Sequence, residues 1–210
     1  MTAAGTYRRG TEEFSRVLAF SDGIFAIAMT LLVVGIGLPT LTNAADEGEL
    51  LSDLRDAFPE VFSFFLSFAV IGRYWVAHHA FFARLGAVDF RFIWIHLLYL
   101  GFIAFLPFPT DLLGNYFENA IATALYALTV AVVSALEVAL FAYSYRHGLL
   151  RVTLSPAVYR WETHVSLSPV MFFLAAIPVA FVSTTAAVVV WFLFFPFQYL
   201  VLEPRRPAGA

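Results

Sequence analysis

The residues with the most chemistry in them stand where they are hardest to bury. The run Arg16-Val-Leu-Ala-Phe20-Ser21-Asp22-Gly23-Ile24-Phe25-Ala26-Ile27-Ala28-Met29-Thr30-Leu31-Leu32 sets an arginine and a Ser-Asp pair inside apolar sequence. Ionisable groups at membrane depth are costly and mark functional sites or specific contacts between helices. A second run, Arg73-Tyr74-Trp75-Val76-Ala77-His78-His79, places Trp75, His78 and His79 at positions i, i+3 and i+4, hence on one helical face. His96 and Glu137 lie in further apolar stretches. Such a set can hydrogen-bond, relay protons or hold a metal. No metal is expected, because the helical His-Glu-x-x-His pattern is missing and adjacent histidines point about 100° apart. Cysteine is absent, which removes disulfides and thiol chemistry. No other nucleophile constellation is visible, so neither an enzyme nor a cofactor is expected.

The elements that must position these residues are membrane helices. With 61% hydrophobic and 13% charged residues and a mean hydropathy of +0.82, a 210-residue chain carries more apolar surface than a soluble core can hide. The net charge of -3, with no lysine, gives no reason to expect nucleic acid as a partner. A crossing needs about 20 apolar residues. That scale predicts an all-α integral membrane protein, one domain over 1–210, with six spans near 13–38, 58–82, 92–113, 120–145, 165–182 and 186–202. The last two share one apolar stretch whose single polar break is Ser183-Thr184-Thr185, read as a tight hairpin. Arg8-Arg9 precedes an apolar run too long for an export signal, so the first helix is expected to be retained.

Arginine placement supports this count, because positive residues gather in short loops on the cytoplasmic side. Arg8, Arg9 and Arg16, then Arg84 and Arg91, then Arg146, Arg151 and Arg160, then Arg205 and Arg206 all fall on one side of the six-span layout. The other side has Arg55 alone among many carboxylates. Both termini are therefore expected in the cytoplasm, and the protein in the cell membrane. The acidic segment 40–57 is expected to be a solvated loop, with a short surface helix before span two.

At about 100° per residue, Gly23, Ile27, Thr30, Leu31, Val34 and Leu38 form one stripe of the first span, while Ser21 and Asp22 point more than 100° away from Ile27. On periodicity alone, ordinary helix packing is the commoner source of such a stripe. If several copies met around an axis, however, rings of Ile27, Leu31 and Val34 would make a constriction able to close by dewetting. Ile27 is eleven residues beyond Arg16, or roughly 16 Å into the bilayer.

The motif Arg16-x-x-x-Phe20-Ser21-Asp22, together with Trp75 and the histidines ending span two, resembles the transmembrane protein 175 family of potassium channels. The resemblance implies a homotetramer of six-helix subunits with the first helix lining a central pore. It makes Ile27 the narrowest ring, Leu31 and Val34 further pore-lining positions, and Thr30 a contributor to potassium preference. It also implies that a Trp and a His ending span two hold the Ser-Asp motif, so a polar network of Arg16, Ser21, Asp22, Trp75, His78 and His79 is expected, with Asp22 accepting from Trp75 or His78, Ser21 bridging, and the choice between His78 and His79 open. Arg16 either pairs with a carboxylate or, more commonly, snorkels to the headgroups. Val34 is smaller than the leucine often found there. The function expected is therefore a cation channel of modest potassium selectivity, gated by a hydrophobic constriction, since the Thr-Val-Gly-Tyr-Gly carbonyl filter is absent. A proton-linked secondary transporter using Asp22 and the histidines is the alternative, although no inverted repeat is evident.

Overall fold

The computed structural model describes residues 5–38, 41–43 and 45–207, so part of the expected 40–57 segment lies outside the described residues. Its helices are α1 (Glu12–Leu31), α2 (Glu47–Asp56), α3 (Phe58–Arg84), α4 (Phe90–Phe105), α5 (Pro107–Asn115), α6 (Ala120–Arg146), α7 (Pro156–Ala180) and α8 (Thr184–Phe197). Among the described residues, six crossings are long and apolar enough to span a membrane, with mean hydropathy between 1.3 and 2.2. Hydrophobic helices of this length bury their own backbone polar groups, which is what a bilayer demands.

Local chemistry sets where the helices begin. Thr11, Asp46, Asp89, Asn119, Ser155 and Ser183 each accept a backbone N–H from the following turn, satisfying donors that a helix start leaves unpaired. Pro156 at the first position of α7 needs no such partner. This start lies upstream of the apolar stretch near 165, because Tyr159, Arg160, Trp161 and Glu162 are helical without being apolar. The crossing formed by α4 and α5 is broken at Leu106, where Pro107 and Pro109 remove backbone donors. Pro169 and Pro178 lie inside α7, which continues through both. The α1 crossing ends in a 3-10 turn over Leu32–Gly35.

Packing runs from α1 at one edge to α8 at the other. The α1 helix lies on α3 and α4, α6 fills the centre against α4, α5 and α7, and α8 covers α7. Buried hydroxyls cross-link this core. Tyr74 of α3 donates to the Val130 carbonyl and lies 2.6 Å from the Ser134 oxygen, both on α6. Thr110 of α5 donates to Ser67, which donates to Tyr126. At the terminus-bearing end, strands β1 (Thr6–Arg8) and β2 (Ala87–Asp89) pair antiparallel, and Arg9 donates to the Phe82 carbonyl at 2.9 Å. At the opposite end the Glu49 carboxylate accepts from the backbone of Thr42 and Asn43, which holds its pKa below the usual carboxylate range.

Gly114 shows how closely α5 and α3 approach. A Cβ at that position would stand 2.9 Å from the Glu60 Cα and 3.0 Å from the Ser63 hydroxyl. Backbone cannot yield as a flexible side chain does, so overpacking here should cost about 1–3 kcal/mol. Gly114→Ala is expected to lower the thermal midpoint of unfolding in detergent, whereas Gly101→Ala, which meets nothing within 4 Å, should not. Equal midpoints for the two variants would contradict this packing.

Candidate functional site

The α1 helix has two opposed faces. Phe14, Ser21, Phe25, Ala28 and Leu32 are buried, at the seven-, four-, three- and four-residue spacings of a packing seam. Ile27, Leu31, Val34 and Leu38 stand on the other side at 56%, 47%, 76% and 89% exposure. Gly23 and Thr30 are exposed on the same side. Beyond Leu31 the helix tightens to 3-10 geometry, which brings residues three apart into line and so sets Val34 over Leu31. The Thr30 hydroxyl donates to the Ile27 carbonyl at 2.9 Å, so its lone pairs remain free on the exposed face.

The buried side of α1 carries the polar anchor. Trp75 of α3 donates its indole N–H to Asp22 at 3.0 Å. Ser21 is fully buried and donates to the Val17 carbonyl at 2.8 Å, while its oxygen lies 3.3 Å from His96 Nε2 on α4. His96 Nε2 lies in turn 3.0 Å from His78 Nε2. The Ser21 proton is committed to Val17, so its oxygen can only accept, and the single Nε2 proton of His96 cannot serve both that oxygen and the facing His78 Nε2. His78 Nδ1 has no partner among the described residues. Phe25 covers the cluster, its ring 5.3 Å from that of His78.

Not every expected member belongs to this network. His78 does not reach Asp22; it pairs with His96, which the sequence placed near the cluster without a partner. Ser21 bridges toward His96 and not toward Asp22 or Trp75. His79 is exposed and lies against the Trp75 ring at 5.9 Å, because adjacent helical residues diverge by about 100°. Arg16 is exposed on the same side of α1 as Ile27, away from Ser21, since eleven residues bring a helix back to within about 20° of its starting direction. Glu137 opens into a separate cavity with Arg84 and Glu162. Among the described residues no three histidines or carboxylates converge as metal ligands would.

Two carboxylates approach the far end of α1, and spacing did not suggest them. The Gly37 N–H donates to Glu60 at 2.7 Å, and a Cβ on Gly35 would stand 2.8 Å from the Asp111 carboxylate. Both carboxylates therefore border the exposed end of the Ile27 face.

Removing the indole donor tests the anchor. Trp75→Phe leaves the partly buried Asp22 without its partner, and an unmade charge-assisted bond costs about 1–3 kcal/mol. The thermal midpoint should fall, and Asp22→Asn added to Trp75→Phe should lower it by less than the sum of the two single changes. Strict additivity would mean that the two groups do not act together.

The chain is similar to known proteins. The profile of the endosomal/lysosomal potassium channel TMEM175 family matches residues 16–107, the part that holds α1 and its anchor. A Streptomyces collinus protein described as a potassium channel is 37% identical over 142 residues, covering 66% of this chain and 68% of the relative. A Chamaesiphon minutus potassium channel is 39% identical over 127 residues, 58% of this chain and 62% of that one. The human endosomal/lysosomal proton channel TMEM175 is 34% identical over 97 residues, which are 44% of this chain and 19% of the much longer relative. The crystal structure of the lysosomal potassium-selective channel TMEM175 homologue from Chamaesiphon minutus superposes with a TM-score of 0.72 at 30% identity, covering 92% of this chain and all of that one. With its anchored first helix, its six apolar crossings and these relatives, the chain belongs to the TMEM175 family.

Proposed function

We propose that the protein is a potassium-conducting cation channel of the cell membrane, in which four copies bring their α1 helices together around a central pore. One observation carries this reading. The Ile27, Leu31 and Val34 side chains stand 47–76% exposed, directly opposite a seam that α3 and α4 bury, so a free apolar face is held in a defined orientation. Facing copies would stack these side chains as hydrophobic rings, with Ile27 narrowest and near the bilayer centre, and such rings close by losing water. Relatives described as potassium channels support the choice of ion. The termini lie on the cytoplasmic side in this reading, on the strength of the arginine-rich loops.

Selectivity in this pore comes from oxygen, because aliphatic rings cannot replace a cation's hydration shell. The free lone pairs of Thr30, one turn beyond Ile27, are the oxygens available within the gate region. Glu60 and Asp111 at the outer end of α1 raise the local cation concentration without discriminating by size. A ring of four hydroxyls is a weaker filter than stacked carbonyls, so discrimination between potassium and sodium is modest.

Ion flux into liposomes holding the purified protein tests both assignments. Ile27→Asn keeps the constriction wet and is expected to raise potassium flux several-fold; flux equal to that of the unaltered protein moves the gate elsewhere. Thr30→Val keeps the shape and removes the oxygen. Its potassium-to-sodium flux ratio should fall toward one while total flux persists, and an unaltered ratio excludes Thr30 from selectivity.

A further inference from the structure

Glu137 is a carboxylate that the α1 anchor leaves unused. It stands on α6 nine residues before Arg146, the last residue of that helix, and so roughly 14 Å in from its end. A carboxylate at that depth is costly to keep and points to a function. Among the described residues nothing hydrogen-bonds to it, and no cation comes within the 4.0 Å of an ion pair. Arg73 acts on its charge only from beyond that distance. Neither oxygen of Glu137 is enclosed, since the enclosed side-chain polar atoms without a partner belong to His78, Tyr99, Thr123 and Trp191. Its lone pairs are therefore open to a ligand.

Glu137 lines a cavity of about 350 Å³ between α3, α6 and α7. The other charges on its walls are already matched. Arg84 holds both oxygens of Glu162, each at 3.0 Å, and Arg206 pairs with Glu203 while lying over the Trp161 ring. With those pairs neutral, the cavity keeps one negative charge. The Ser166 hydroxyl, on the same wall, adds an oxygen that has no partner among the described residues. Phe81, Phe141 and Val165 supply apolar surface beside it. Unused acceptors, a negative charge and aromatic rings thus meet in one space, and a cation with donors and an apolar part satisfies all three.

We propose that this cavity binds a primary ammonium carrying a small apolar group, its nitrogen donating to Glu137 and Ser166 and its apolar part lying against Phe81, Phe141 and Val165. An ammonium has three donors and no acceptor, which complements two carboxylate oxygens and a hydroxyl. A hard metal ion takes about six or more oxygens, whereas among the described residues no three histidines or carboxylates gather to hold one. The volume is that of a small-molecule pocket. The site is independent of the pore reading, since no α1 residue lines it.

Equilibrium dialysis of radiolabelled benzylamine, protonated at neutral pH, against the full-length protein in detergent provides the test. Saturable binding is expected, weakened about tenfold or more in Glu137→Gln, which keeps the shape and removes the charge. Ala77→Phe, which fills the inner end of the cavity and keeps the carboxylate, should abolish it. Unlabelled benzylamine should compete, and benzyl alcohol or potassium chloride at equal concentration should not. Absence of saturable binding, unaltered affinity in either variant, or equal competition by benzyl alcohol overturns the proposal, and displacement by potassium overturns it by assigning Glu137 to an inorganic cation. If Glu137→Gln fails to fold, Ala77→Phe and the benzyl alcohol competition decide the question.

Discussion

A polar group in the bilayer core has no water to pair with, and α1 carries two such side chains in succession. Ser21 and Asp22 can be buried only where other helices supply partners. Trp75 supplies one and His96 the other, so the rotation of α1 about its own axis is set by two bonds on adjacent residues pointing about 100° apart. A single bond would leave α1 free to roll, whereas two in different directions do not. Apolar packing alone would fix this orientation poorly, because lipid tails are as good an environment for Ile27 as for Phe25.

From that constraint the rest of α1 follows. With Ser21 turned inward, Phe25, Ala28 and Leu32 must enter the core, and Ile27, Leu31 and Val34 must leave it. The tight turn over Leu32–Gly35 then prevents the drift that an ideal helix would add, keeping Val34 in line with Leu31. Gly35 is the last residue of that turn, and the Asp111 carboxylate occupies the space a side chain there would need. Buried hydroxyl bridges tie α3, which carries Trp75, to α5 and α6, and α4, which carries His96, packs against α6.

What could be read from the sequence divides along physical lines. Hydropathy reports the solvent of a segment, so the apolar crossings were visible as stretches, but it does not report helicity. That is why α7 begins well upstream of its apolar part, in residues that are helical at the membrane surface. Spacing within one helix reports which side chains share a face, so Trp75 and His78 could be named as candidate donors for Asp22. It cannot choose between donors that differ by a turn, nor supply a partner from another helix. The choice of indole over imidazole came from the meeting of α1 with α3, and the His78–His96 pair from the meeting of α3 with α4. The β1–β2 clip was invisible because three residues are too few to show a period.

Arg16 illustrates the same division. Its place in the motif suggested membership of the polar network, yet helical geometry returns it, after three turns, to the direction of Ile27. Membership in a motif is a statement about sequence distance, while membership in a network is a statement about direction. Ser21 and Asp22 point into the bundle, and Arg16 lies more than 90° from either. A helix with both faces in use must spend its polar residues on both, with the carboxylate and hydroxyl setting its rotation from behind. Arg16 is then left at the terminus-bearing end of the exposed stripe, where its long stem can carry the charge outward to the headgroup layer. The same motif thus orients the helix and leaves a charge at one end of its exposed face.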